Sequence, residues 1–98
     1  MAQMGQFYVA VYTDDVSHGK PSPDVYLLAA ERLGVAARDC AAIEDSSNGI
    51  RSAVAAGMIT IAVPHAAYPP APDALALARL VLPNLRALTP ETIQDLGR

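Results

Sequence analysis

Two adjacent carboxylates, Glu44 and Asp45, stand where the apolar run Cys40 to Ile43 stops and the cluster Ser46, Ser47, Asn48, Gly49 opens a helical pattern. At the frayed end of a strand both side chains can turn toward one site, and the free amides of the helix N-terminus beside them favour anions. Such a pair invites a hard cation such as Mg²⁺, which takes one or two protein carboxylates and fills its other positions with waters and phosphate oxygens. The plainer use of the same dipeptide is helix capping. Lys20 stands in HGKPSPD, between a strand and a helix, where prolines at 21 and 23 restrict the backbone. A lysine held by stiff backbone loses less conformational freedom on meeting an anion than one on an open helix face. A solvated loop lysine is the alternative reading.

The elements that must position these groups follow from pattern. Phe7 to Tyr12 (FYVAVY) is nearly continuously apolar and suits a strand covered on both faces. Ser22, Pro23 and Asp24 predict a helix start, as hydroxyl N-cap, proline at the first helical position and acid in the first turn, with the helix running to about Leu33 and Gly34 as its stop. Cys40 to Ile43 reads as a short buried strand ending at Glu44. The next helix opens near Ser47, carries Ile50, Ala53, Val54 and Ala56, and closes at Gly57, after which Met58 to Val63 makes another strand. Pro64 to Pro72 holds four of the eight prolines and reads as a loop. Leu75 to Ala78 predicts a helical turn, Leu80 to Leu82 an edge strand, and Thr89 with Pro90 the cap of a last helix to about Leu96. Strands alternating with helices imply βαβ units and a parallel sheet, in which ligands bind beyond the carboxyl ends of the strands. Glu44 and Asp45 sit at such an end.

At 98 residues the chain is at most one domain. Its 52% hydrophobic content, 17% charged content and net charge of −3 describe a globular protein and argue against nucleic acid as a partner. No apolar run approaches the roughly 18–20 residues of a membrane span, and MAQMGQF lacks the pattern of a secretory leader, so neither a membrane nor export is expected and the chain is read as cytoplasmic. The single cysteine, Cys40, excludes an internal disulfide and reads as a small buried hydrophobe. His18 and His65 read as solvated loop histidines, and Tyr68 as a residue packing its own loop.

GKPSPDVY and IEDSSNGIRSAVAAGM resemble the third and fourth motifs of the haloacid dehalogenase-like hydrolases, in the branch of phosphoglycolate phosphatase, β-phosphoglucomutase and phosphonatase. The resemblance covers Phe7 to about Leu82. It implies that Lys20 neutralises charge on the transferring phosphoryl group, that Asp45 ligates Mg²⁺ with Glu44 assisting directly or through water, and that Ser46, Asn48, Gly49 and Asp24 support the site. Ser46 and Asn48 would hydrogen-bond around the metal loop and helix start, while Gly49 permits close approach. Such a site works by positioning and charge stabilisation. The family's nucleophile lies in a DxDGT-type motif on its first strand, and no DxD occurs in this sequence. Asp14 and Asp15 are adjacent and read as turn residues. The cap that selects substrate, which lies between the first and second motifs, is absent too.

The resemblance therefore implies an α/β fold, a partial Rossmann-like three-layer sandwich with a parallel sheet, lacking the first two core strands and the cap, with residues 1–98 as the C-terminal half of the core. The missing strands belong in the middle of the family's sheet. At about 4.8 Å per strand their loss would leave roughly 14 Å between the strand at Phe7 to Tyr12 and the one at Cys40 to Ile43. Unpaired strand edges of that kind call for closure, by direct pairing of the two or by homo-oligomerisation through the open edges. The expected function is a portion of a Mg²⁺-dependent phosphohydrolase, inactive alone, with Mg²⁺ weakly held or absent and a phosphorylated small molecule as substrate once a nucleophile-bearing half completes the site. The alternative is a non-catalytic remnant acting as an oligomerising or protein-interaction module.

Overall fold

The computed structural model describes residues 18–96, so the strand expected at Phe7 to Tyr12 and the turn expected at Asp14 and Asp15 lie outside the described residues. Within them the elements are α1 (Asp24–Leu33), β1 (Ala41–Glu44), α2 (Ser47–Ala55), β2 (Ile59–Ala62), α3 (Pro72–Leu75), β3 (Leu80–Val81) and α4 (Pro90–Leu96), with short 3₁₀ turns at Ala37–Asp39 and Leu85–Ala87. The three strands form one parallel sheet in the order β1-β2-β3. Ala41 stands opposite Ile59, Glu44 opposite Ala62, and Ile61 opposite Leu80. This is the α/β, parallel-sheet class the motif spacing implies. Among the described residues no helix is long and apolar enough to cross a membrane.

Local chemistry explains most boundaries. Helix α1 starts one residue later than the Ser-Pro-Asp pattern predicts: Pro23 takes the cap position, its carbonyl accepting from Leu27 N at 2.9 Å, and the Ser22 hydroxyl accepts from Asp24 N at 3.3 Å. It ends at Gly34, whose φ of 70° needs a residue without a Cβ. Helix α2 is capped by Ser46, whose Oγ accepts from Gly49 N at 3.1 Å, and its exit passes through Gly57 at φ 84°. Helix α3 begins three residues earlier than expected. Pro72 supplies a pre-set φ at its first position, and the Ala71 amide just before it is held by Ser47 Oγ at 2.8 Å. Thr89 caps α4 as expected, its Oγ1 accepting from Thr92 N at 3.2 Å.

Helices α1 and α2 share a core with one face of β1. Ala30, Cys40, Ala42, Ala53, Ala56 and Met58 are buried together, and Tyr26, Leu33, Val35 and Ala37 pack against them. The preponderance of alanine brings helix and sheet backbones close. Strand β2, between its two neighbours, is the most completely enclosed, with Ile61 and Ala62 fully buried. Strand β1 departs from the expectation of a buried strand: Ala42 and Glu44 are buried, but Ala41 and Ile43 alternate with them as exposed residues. The helical layer covers only the Ala42 side, and β1 is an edge strand among the described residues.

Candidate functional site

The lysine loop and the acidic pair meet. The backbone from Gly19 to Ser22 closes a turn through Ser22 N to Gly19 O at 3.0 Å, with a cis peptide between Lys20 and Pro21. This loop is pinned to α2 from below, because Ser52, fully buried, donates its hydroxyl to the Ser22 carbonyl at 2.6 Å. From the turn Lys20 Nζ reaches Glu44 Oε2 at 2.9 Å and stands 5.3 Å from the centre of the Tyr26 ring, within cation–π range. Glu44 ends β1 and is only 8% exposed, against 40% for the lysine. A carboxylate so buried needs a donor, and the ammonium supplies it.

Gly49 makes room for that carboxylate. A Cβ at residue 49 would overlap Glu44 Oε1 and its carboxyl carbon and sit tight against Ser46 Oγ. The backbone there has no positive φ, so the requirement for glycine is steric. Asp45, one residue beyond Glu44, is exposed and has no hydrogen-bond or ion-pair partner among the described residues. Asn48 is likewise exposed and makes no side-chain hydrogen bond there, contrary to the bond expected of it; at the start of a helix its side chain turns to solvent while Ser46 alone caps the helix. Asp24 sits in the first turn of α1 and pairs with His18, Nδ1 to Oδ2 at 3.2 Å, and not with the lysine. Residues 20, 44, 46 and 49 thus form one connected cluster, Asp45 borders it, and Asp24 and Asn48 stand apart.

Four contacts were not legible beforehand. Tyr26 under the ammonium and Ser52 under the loop sit on helix faces whose pattern reads only as packing. Ser47 accepts from Ala71 N at 2.8 Å, and Val63 N donates to the Glu44 carbonyl at 2.8 Å, so both ends of the loop after β2 are fixed to residues 44–47. Nearby, Arg51 Nη2 pairs with Asp73 Oδ2 at 2.6 Å and holds that carboxyl below the usual carboxylate range. The Cys40 thiol, donating to Ala36 O at 3.4 Å, is pushed up first by burial and then by the charge of Asp39.

For Mg²⁺, a family-implied ion, the donor set fits in part. Asp45 offers an exposed carboxylate of the hard-oxygen kind with no partner among the described residues, whereas Glu44 already has one oxygen on Lys20 and the other against Gly49. No group of three or more His, Cys, Asp or Glu side chains converges among the described residues.

Residues 1–57 match the haloacid dehalogenase-like hydrolase family. The chain is 54% identical over 66 residues to the plasmid-encoded CbbY protein of Cupriavidus necator, covering 67% of this chain and 25% of that protein. It is 46% identical over 57 residues to the fructose-1-phosphate phosphatase YqaB of Escherichia coli, covering 58% and 30%. The fold superposes on the crystal structure of β-phosphoglucomutase from Clostridium difficile with a TM-score of 0.74 at 29% identity, over 89% of this chain and 36% of that one. The chain thus spans between a quarter and somewhat over a third of these relatives. With its two motifs joined at the carboxyl end of a parallel sheet, the chain belongs to the haloacid dehalogenase-like hydrolases.

Proposed function

We propose that this chain contributes one wall of a phosphohydrolase site: Lys20 neutralises charge on the transferring phosphoryl group, Glu44 and Tyr26 hold the lysine in place, and Asp45 holds a Mg²⁺ ion. The carrying observation is the 2.9 Å contact that joins a loop lysine to an acid 24 residues later at the end of a parallel strand. A phosphoryl group arriving at Lys20 meets a pre-positioned ammonium, and the Glu44 carboxylate beside it keeps that ammonium directed at the strand end. The ion, when bound, would add positive charge on the phosphate oxygens from the Asp45 side, and waters and phosphate oxygens would supply its other ligands.

The sequence carries no DxD pair, so the attacking carboxylate comes from a second polypeptide segment in this reading. The substrate is a phosphorylated small molecule, and a hydroxylated carbon skeleton is favoured by the relatives named for fructose 1-phosphate and phosphoglucose. A second reading, an oligomerising or protein-interaction module, is favoured by the exposed Ile43 on β1, an edge strand among the described residues. Sedimentation equilibrium separates the two: a stable folded monomer counts against self-association.

The deciding experiment is hydrolysis of an aryl phosphate with Mg²⁺, by the chain alone and with a separately produced DxD-bearing fragment. The chain alone should stay at background, since a missing nucleophile costs several orders of magnitude in rate. Addition of the fragment should restore turnover, and Lys20→Ala or Asp45→Asn should remove it again. Restored turnover indifferent to both substitutions overturns the assignment. Turnover by the chain alone that Asp45→Asn abolishes overturns the need for a second segment.

A further inference from the structure

Among the described residues the buried polar side chains are Glu44, Ser52 and Thr60. Glu44 holds Lys20, and the Thr60 hydroxyl donates to Met58 O, two residues earlier, at 3.2 Å. Ser52 serves neither the site directly nor its own segment. Its hydroxyl is fully enclosed and donates to the Ser22 carbonyl at 2.6 Å, across 30 residues of chain. A serine inside a helix ordinarily turns its hydroxyl back to the carbonyl of the preceding turn or out to water. Here the bond leaves the helix, and with solvent excluded it fixes where its acceptor must lie.

That acceptor belongs to the lysine turn. Ser22 N closes the turn on Gly19 O at 3.0 Å, prolines 21 and 23 restrict the backbone on either side of Ser22, and the Pro23 carbonyl accepts from Tyr26 N at 3.0 Å and Leu27 N at 2.9 Å. Residues 19–27 are thus one hydrogen-bonded unit that carries both the Lys20 ammonium and the Tyr26 ring 5.3 Å from it. The other side of the site leans on the same helix. Gly49, against which the Glu44 carboxylate packs, precedes Ser52 by about 4.5 Å along the axis of α2, and both lie on its buried face. One turn of α2 therefore meets the acid and the next meets the lysine loop. Two further contacts of this helix lead elsewhere, Arg51 to Asp73 and Ser47 to Ala71. The direct contact between Lys20 and Glu44 cannot fix the loop by itself. The ammonium ends a flexible side chain, 40% exposed, that can follow its carboxylate while the backbone beneath it shifts.

We infer that Ser52 is a positioning residue for anion binding: its hydroxyl sets the backbone of the lysine turn against α2, and through it the placement of the Lys20 ammonium beside the acidic end of β1. This rests on the phosphate reading above. The test is NMR titration of the full chain, with Mg²⁺, by inorganic phosphate, read on the native resonances. Ser52→Ala should weaken phosphate binding about threefold to tenfold, the scale of one hydrogen bond. Ala53→Gly, at a fully buried position of the same helix away from the lysine turn, loses helix stability and should leave phosphate affinity unchanged. Coupling between two binding events is reciprocal, so in the unaltered protein saturating phosphate should slow solvent exchange of the Ser52 hydroxyl proton by the same factor. This last measurement needs no variant to fold. Unchanged affinity in Ser52→Ala, an equal loss in Ala53→Gly, or hydroxyl exchange indifferent to phosphate overturns this inference alone. Absence of phosphate binding by the unaltered protein overturns it together with the phosphate reading.

Discussion

Gly49→Ala sets two effects of opposite sign against each other. Residue 49 lies in the first turn of α2 with no positive φ, so alanine there should gain up to about 1 kcal/mol of helix propensity. The new Cβ would, however, overlap the Glu44 carboxylate. The carboxylate is the free end of a flexible side chain and can swing aside, but only by leaving Lys20 Nζ at 2.9 Å. Glu44 is 8% exposed, and a buried carboxylate separated from its donor costs about 1–3 kcal/mol. The ion pair itself adds less than about 1 kcal/mol, because Lys20 is 40% exposed and screened by solvent. The cost wins: the variant should lose about 1 kcal/mol net, which at this chain length lowers the midpoint of thermal unfolding by about 4–8 °C. Chemical denaturation gives the free energy directly, and a double-mutant cycle isolates its origin. In a Glu44→Ala background the overlap with the carboxylate is gone and only the tight Ser46 Oγ contact remains, so Gly49→Ala should lose its destabilising effect and gain at most about 1 kcal/mol. Stabilisation of the otherwise unaltered protein by Gly49→Ala would refute the steric account of the glycine, and with it the claim that residue 49 keeps the lysine and the acid together.

Other expectations concern the supports of the site. Ser52→Ala removes the donor to the Ser22 carbonyl beneath the lysine loop and should cost about 1–3 kcal/mol, measurable by denaturation. Asp73 has a folded-state carboxyl held below its usual range by Arg51, so its contribution is present above the unfolded carboxylate pKa and lost as pH falls through the folded value; Arg51→Ala should flatten that acid-side part of a stability-versus-pH curve. For Cys40 the folded thiol is raised, so its contribution is full below the ordinary thiol pKa and lost as pH rises toward the folded one. Thiol labelling at mildly alkaline pH should accordingly be slow in the native chain and fast in denaturant, and equal rates in the two would contradict its burial.

Much of the outline was legible because it depends on neighbours in sequence. The Ser46 cap, the glycines at 34 and 57, Pro90 after Thr89 and the short apolar runs around Ile43 and Ile61 act within a few residues of themselves, and each appears where the pattern puts it to within a residue or so. Local chemistry went astray where a distant partner intervened. Helix α3 starts at Pro72 with the Ala71 amide held by Ser47, 24 residues earlier, and Ile43 is half open to solvent since the helical layer covers only the other side of β1.

The order of residues alone determined that a restrained lysine and an acidic pair exist, that each stands at the junction of a loop with a regular element, and that no DxD motif accompanies them. Only the tertiary structure decided how they are used. It turned Glu44 inward to Lys20 and left Asp45 outward, put the Tyr26 ring beside the ammonium, and made Gly49 a steric necessity. The reason is that capping and propensity are settled over one turn of chain. The partner of a buried charge depends on which atoms the folded backbone brings within about 3 Å, and the sequence does not encode that distance locally.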